Sequence, residues 1–172
     1  MFKRPIILMI FITSILGYSI GKENLNKNII NNLKLNKTDI PEDFVYGRIP
    51  DFANKVLMGN PWMMDKIAIK KLSNRIYPDG DYRKIANIHV TIMTRKEEPY
   101  GDDIVCYIII YKNKMSANVE IKKIYDFAGF NRDRIIVLSK DNIVVFLHVD
   151  DVENYHLIRK MSLKMKKKLS EF

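Results

Sequence analysis

A single cysteine, Cys106, occurs in 172 residues, so the chain closes no internal disulfide and holds no Cys-rich zinc site. Glycine is scarce as well, seven in all, and none stands in a phosphate-cradling loop or a Gly-x-Gly-x-x-Gly turn. A Gly-x-Ser-x-Gly elbow and a His-Glu-x-x-His helix are also missing. These absences remove the commoner hydrolase, kinase and dinucleotide-binding signatures, and no cofactor is expected. Low-complexity bias does not dominate either: 47% hydrophobic and 28% charged residues suit one globular domain with its own core.

What is present begins at the N-terminus. Lys3 and Arg4, the apolar run Ile6 to Leu16 and the small residues Gly17, Ser19 and Gly21 have the three parts of an export signal over residues 1–21. The alternative is an uncleaved membrane anchor, for which the run from Pro5 to Gly21 is short. No cysteine follows the run, which excludes a lipoprotein anchor. The expected location is therefore outside the cytoplasm, periplasmic or extracellular. Residues 22–39 are rich in Asn and Lys and read as a linker or a frayed helix, leaving 40–172 as the folded domain.

Two runs organise that domain. Ile88-His89-Val90-Thr91-Ile92-Met93 alternates with period two, predicting a strand with a dry and a wet face, whereas Ile104 to Tyr111 is apolar on both faces. Together they read as a hairpin. A second hairpin is predicted from Arg134 to Leu138 and Asn142 to Val149. Asp51 caps a predicted helix over Phe52 to Met58, and Pro61 opens another carrying Met64, Ile67, Ala68, Leu72 and Ile76. Ser116 is the expected cap of a third helix, with Ala117, Ile121, Ile124, Tyr125 and Ala128 on its apolar face and Gly129 as its stop. Asp150 or Asp151 caps a C-terminal helix striped by Val152, Tyr155, Ile158, Met161 or Ser162, Met165 and Leu169. The fold class expected is α+β: one antiparallel sheet of four to five strands, built from two hairpins and packed with three to four helices.

Chemistry-bearing residues are few. His148, Asp150 and His156, with Asp151 and Glu153 between them, are candidate metal ligands at a strand end and a helix start, though their spacing matches no standard ligand set and the aspartates already serve as caps. Cys106 and His89 share the first hairpin, but a thiol among isoleucines reads as core rather than nucleophile. The acidic loop from Glu97 to Asp103 lacks the spacing of a calcium loop. Trp62, Tyr107, Tyr111, Phe127, Phe130 and Phe146 either fill a core or line a pocket for a small apolar ligand.

Charge is unevenly spread. Lys plus Arg exceed Asp plus Glu by nine, and the last fourteen residues hold Arg159, Lys160, Lys164, Lys166, Lys167 and Lys168 against Glu171 alone. Lys160 to Lys168 form a solvated helix face, or else contact a partner or an anionic membrane surface; an exported chain is not expected to meet nucleic acid. The function expected is that of an exported bacterial envelope protein acting as a non-enzymatic binding or interaction module for an unknown protein or a small apolar ligand. The alternatives are a small metal-dependent hydrolase using His148 and His156 and a membrane-surface protein held by the C-terminal lysines.

Overall fold

The computed structural model describes residues 24–49, 59–101 and 103–172. The export signal and the helix expected over Phe52 to Met58 lie outside the described residues. The chain divides into two units between Asn32 and Leu33. In the first, the described part is helical from residue 24, and this helix, α1, ends at residue 33.

The second unit is α+β, with an open antiparallel sheet ordered β1-β3-β4-β6-β5. Its strands are β1 (Phe44–Tyr46), β2 (Trp62–Met63), β3 (Ile85–Arg95), β4 (Ile104–Tyr111), β5 (Ile135–Lys140) and β6 (Ile143–Val149). Its helices are α2 (Lys66–Ile76), α3 (Lys114–Phe130) and α4 (Tyr155–Ser170). Both expected hairpins form, β3 with β4 and β5 with β6. The sheet has six strands rather than four to five, because β1 and β2 both pair with the outer side of β3, one after the other.

That addition corrects the start of α2. Pro61 does not open a helix; Trp62 and Met63 pair with Val90 and His89, and α2 begins only after Asp65, whose Oδ1 accepts from the Ala68 N–H at 2.7 Å. Asn60 holds the junction. Its Nδ2 donates to the carbonyls of Gly47 at 2.8 Å and Ile92 at 2.7 Å, while its Oδ1 accepts the Ile92 N–H at 2.9 Å. One amide thus bonds three backbone groups, of which the Ile92 carbonyl also accepts the Gly47 N–H at 3.0 Å. Asn60→Ala is expected to lower stability by about 2 kcal/mol, checked as a shift of the urea midpoint; a shift below a quarter of that size would show these bonds to be replaceable by water.

Both faces of the sheet are dry. Ile88 and Val90 of β3, Val105, Ile109 and Tyr111 of β4, Val144 and Phe146 of β6 and Ile135 of β5 form one core with Ala68, Ile69 and Ile76 of α2 and Ala117 and Ile124 of α3. The opposite face carries His89, Thr91, Met93, Ile104, Cys106, Ile108, Ile110, Val145 and Leu147, all buried. Against it lies α4, through Ile158, Met161, Met165 and Leu169. The wet face expected for β3 is therefore not wet. His89 retains only 6% of its exposure, since Leu33, Leu35 and α4 add a third layer that period-two alternation does not reveal. Each fully buried Ile or Val contributes about 1.5–3 kcal/mol, and two covered faces double the supply for a sheet of this size.

The starts of α3 and α4 differ from expectation by about a turn. Asn113, not Ser116, caps α3: its Oδ1 accepts the Ser116 N–H at 2.8 Å, and the helix runs through Gly129 to Phe130. On its inner face Glu120 is buried, whereas Tyr125 is exposed. Asp151 caps a 3-10 turn at Val152–Asn154 that precedes α4, which leaves Val152 exposed rather than in the stripe. The β5–β6 turn is only Asp141-Asn142, with Asp141 at φ 52°, a left-handed conformation that Asp tolerates.

Candidate functional site

The candidate metal ligands are placed apart. His148 sits on β6, paired with Val105 and Ile135, and by strand alternation points to the α2–α3 side with Phe146. His156 is on α4, on the other side of the sheet, exposed, with Nδ1 2.7 Å from the Glu153 carbonyl. Asp150 is exposed and engages neighbours through its backbone: its N–H donates to the Asp103 carbonyl at 3.0 Å, and its carbonyl accepts from Arg134 Nη1. Among the described residues no group of three or more His, Cys, Asp or Glu side chains is placed to hold a metal ion.

Cys106 and His89 share a face and a hairpin, Cys106 opposite Thr91 and His89 opposite Ile108. Cys106 is 1% exposed, and burial pushes its thiol up to about 12. A neutral thiol that no substrate reaches is a core residue. Burial, with the charge of Lys34 second, pushes His89 down to about 4, and its Nδ1 has no hydrogen-bond partner. The aromatic set is likewise core: Phe146 packs between Tyr107 and Phe127 at centroid distances of 6.2 and 6.4 Å, and Phe130 alone stands out, 90% exposed.

The acidic turns serve the fold. Asp103 Oδ2 accepts from Thr94 Oγ1 at 3.0 Å and from the Arg95 N–H at 3.1 Å, and Asp81 pairs with Arg83 at 2.9 Å. A buried polar cluster that the sequence reading missed lies beside the second turn. Glu120 Oε2 accepts from Tyr77 Oη at 2.9 Å and from the Asp81 N–H at 3.0 Å; its Oε1 accepts from Lys84 at 3.1 Å and Lys123 at 3.0 Å. Tyr77 and Tyr111 hydroxyls meet at 3.0 Å. Burial alone would raise the Glu120 carboxyl, but the bonds from Asp81, Lys123, Lys84 and Tyr77 outweigh it and hold the group below the ordinary carboxylate value. Each Glu120 oxygen already accepts two bonds, so the cluster ties α3 to the 77–84 turn and offers no open acceptor to a substrate. Gly80 permits the approach: a Cβ there would lie 3.1 Å from the Ser73 carbonyl and from the Tyr77 ring.

The C-terminal lysines divide. Lys168 lies 3.0 Å from Asp39 Oδ2 and 3.3 Å from the Lys34 carbonyl, and Lys164 lies 3.7 Å from Asp39 Oδ1. Burial raises the Asp39 carboxyl, yet the Asn36 N–H, Lys168 and Lys164 hold it lower than usual. Lys166 and Lys167 are exposed. The apolar residues that would accompany them onto a membrane, Met161, Met165 and Leu169, are spent in the core, leaving Leu163 outside. No helix among the described residues is long and apolar enough to cross a membrane.

Where the Asp39–Glu42 segment runs along α4, a cleft of about 260 Å³ opens. Ile40, Pro41, Leu157 and Met161 give it an apolar floor, and Asp39, Glu42, Lys160 and Lys164 a charged rim. Asp39 is already neutralised by its lysines, so Lys160 and Glu42 are the charges a guest would meet. Compared with protein-family models, characterised proteins and solved structures, the chain matches none.

Proposed function

We propose that this chain is an exported, non-enzymatic binding module of a bacterial envelope, and that the cleft between residues 39–42 and α4 is its binding site. The cleft carries this reading: an apolar floor edged by opposite charges is the arrangement that seats one apolar group and fixes its orientation. The three-part N-terminal pattern over residues 1–21, a charged start, an apolar run and small residues, supports export. With Asp39 neutralised, the guest that fits is an apolar group next to a carboxylate that meets Lys160, as at the C-terminus of a peptide ending in leucine.

Titration of the labelled chain with a tripeptide ending in leucine is expected to shift the backbone amides of Ile40, Leu157, Lys160 and Met161. The same peptide with an amidated end binds several-fold more weakly, since a charge-assisted hydrogen bond is worth about 1.5–3 kcal/mol in favourable settings and less at an exposed rim. Leu157→Trp, which fills the cleft, and Lys160→Glu, which reverses the rim charge, both abolish the response. Shifts that are absent at millimolar peptide, or that survive both substitutions, remove the cleft as the site.

A further inference from the structure

We infer that β5 is a docking edge and that its occupant is a second copy of this chain, joined strand to strand across a twofold axis normal to the sheet. The two sheet edges are treated differently. On one side, β3 is covered by two strands of three and two residues, interrupted by Gly47 and Pro61. On the other, β5 runs six residues in unbroken register with β6, and among the described residues no strand pairs with its outer side. Isoleucine, isoleucine, valine and leucine lead it, without a proline, a bulge or a charge before Lys140. An edge of this kind, left bare, recruits other chains.

The hydrogen-bonding phase is fixed by the structure. The Val149 N–H donates to the Arg134 carbonyl at 2.9 Å, so residues 134, 136, 138 and 140 turn their backbone groups toward β6 and residues 135, 137 and 139 turn theirs outward. A symmetric antiparallel pair must place residues of one face opposite each other, which leaves few registers. Centring the pair on Val137 sets Arg134 against Lys140 and Asp133 against Asp141, both repulsive. Centring it on Leu138 sets Ile136 against Lys140 and Arg134 against Asn142, with no like charges opposed. In that register the outward groups of Val137 and Ser139 bond to Ser139 and Val137 of the second copy, four backbone hydrogen bonds in all.

Side chains beside the edge agree. The Tyr125 hydroxyl lies 3.2 Å from Ser139 Oγ, which places the α3 flank along β5, and Tyr125 is 46% exposed. Across the axis the Tyr125 flank meets its counterpart and the exposed ring gains cover. The positive charge of each chain opposes association, so the dimer strengthens as salt rises.

Mass determination by light scattering on the full chain, at concentrations up to about 200 µM and in about 50 and 500 mM salt, is expected to show a dimer favoured by salt. Ser139→Pro removes an outward N–H without touching the β5–β6 ladder and returns the chain to monomer. In case that variant does not fold, Leu138→Cys provides a second readout: its two thiols face each other on the axis and exchange with added oxidised glutathione to a covalent dimer, releasing two reduced glutathiones, while Val137→Cys, set opposite Ser139, does not self-link. Native Cys106 is buried and stays out of the reaction. A monomer at every concentration, or a dimer that ignores Ser139→Pro and fails to cross-link through Leu138→Cys, overturns the inference. Peptide titration of the α4 cleft is read independently of this, on residues 40 and 157–161.

Discussion

Glu120→Ala is expected to lower stability by about 3–5 kcal/mol, seen as a fall in the urea midpoint at nearly constant slope. The side chain is fully buried and is the common acceptor for four donors on three elements: Tyr77 and the Asp81 N–H in the turn after α2, Lys84 before β3, and Lys123 on α3. Alanine leaves a buried hydroxyl and a backbone N–H without acceptors and two ammonium groups without a counter-charge, in addition to a cavity. Tyr111→Phe removes only the outermost bond of the cluster and costs about 1 kcal/mol, which separates the network from the packing of the ring. The pH dependence has a fixed sign. Because the folded-state pKa of Glu120 lies below its unfolded value, its contribution is complete above the unfolded value and is lost as pH falls through the folded one. A Glu120→Ala protein within about 1 kcal/mol of the parent would mean that the cluster does not bind α3 to the turn.

The architecture was legible where the sequence repeats a period, and illegible where one residue serves two elements. β3 to β6 follow from alternation and from the β-branched run at Ile104 to Tyr111, and the stripe Ile158, Met161, Met165, Leu169 gives α4 its inner face. β1 and β2 were not foreseeable by length: three and two residues are strands only because β3 is there to pair with them. His89, Thr91 and Met93 read as a wet face because alternation records polarity, not cover. Glu120 had a signal that went unused, since it lies three residues after Ala117 and four before Ile124, on the buried face of α3. A charge at such a position implies buried partners. The cleft had none: Ile40, Pro41, Leu157 and Met161 are about 115 residues apart in sequence, and only the placement of the 39–42 segment along α4 joins them.

His89 makes the second large prediction, one about acid. Its ring is buried on β3, with Nδ1 unpartnered, Lys34 near and Cys106 on the adjacent strand. Neither neighbour welcomes a proton there: Lys34 repels it, and the Cys106 thiol is held neutral by its own burial. The folded-state value is near 4, while the unfolded chain takes up the proton near 6.5. Between those limits the unfolded state binds more protons than the folded state, so stability falls as pH falls, and the full span is worth about 3 kcal/mol. Replacing His89 with leucine removes this slope and leaves the carboxylates untouched. Asp39 and Glu120, whose folded values are lowered, lose their contributions in both proteins alike at more acid pH. Whatever offset separates the two proteins at neutral pH, the gap in favour of His89→Leu therefore widens by about 3 kcal/mol on descending from about pH 7.5 to pH 4. Urea unfolding at half-unit intervals measures it. Stability curves that run parallel over that range would show that His89 already has a partner for its proton, and that the face of the sheet under α4 is wetter than its packing indicates.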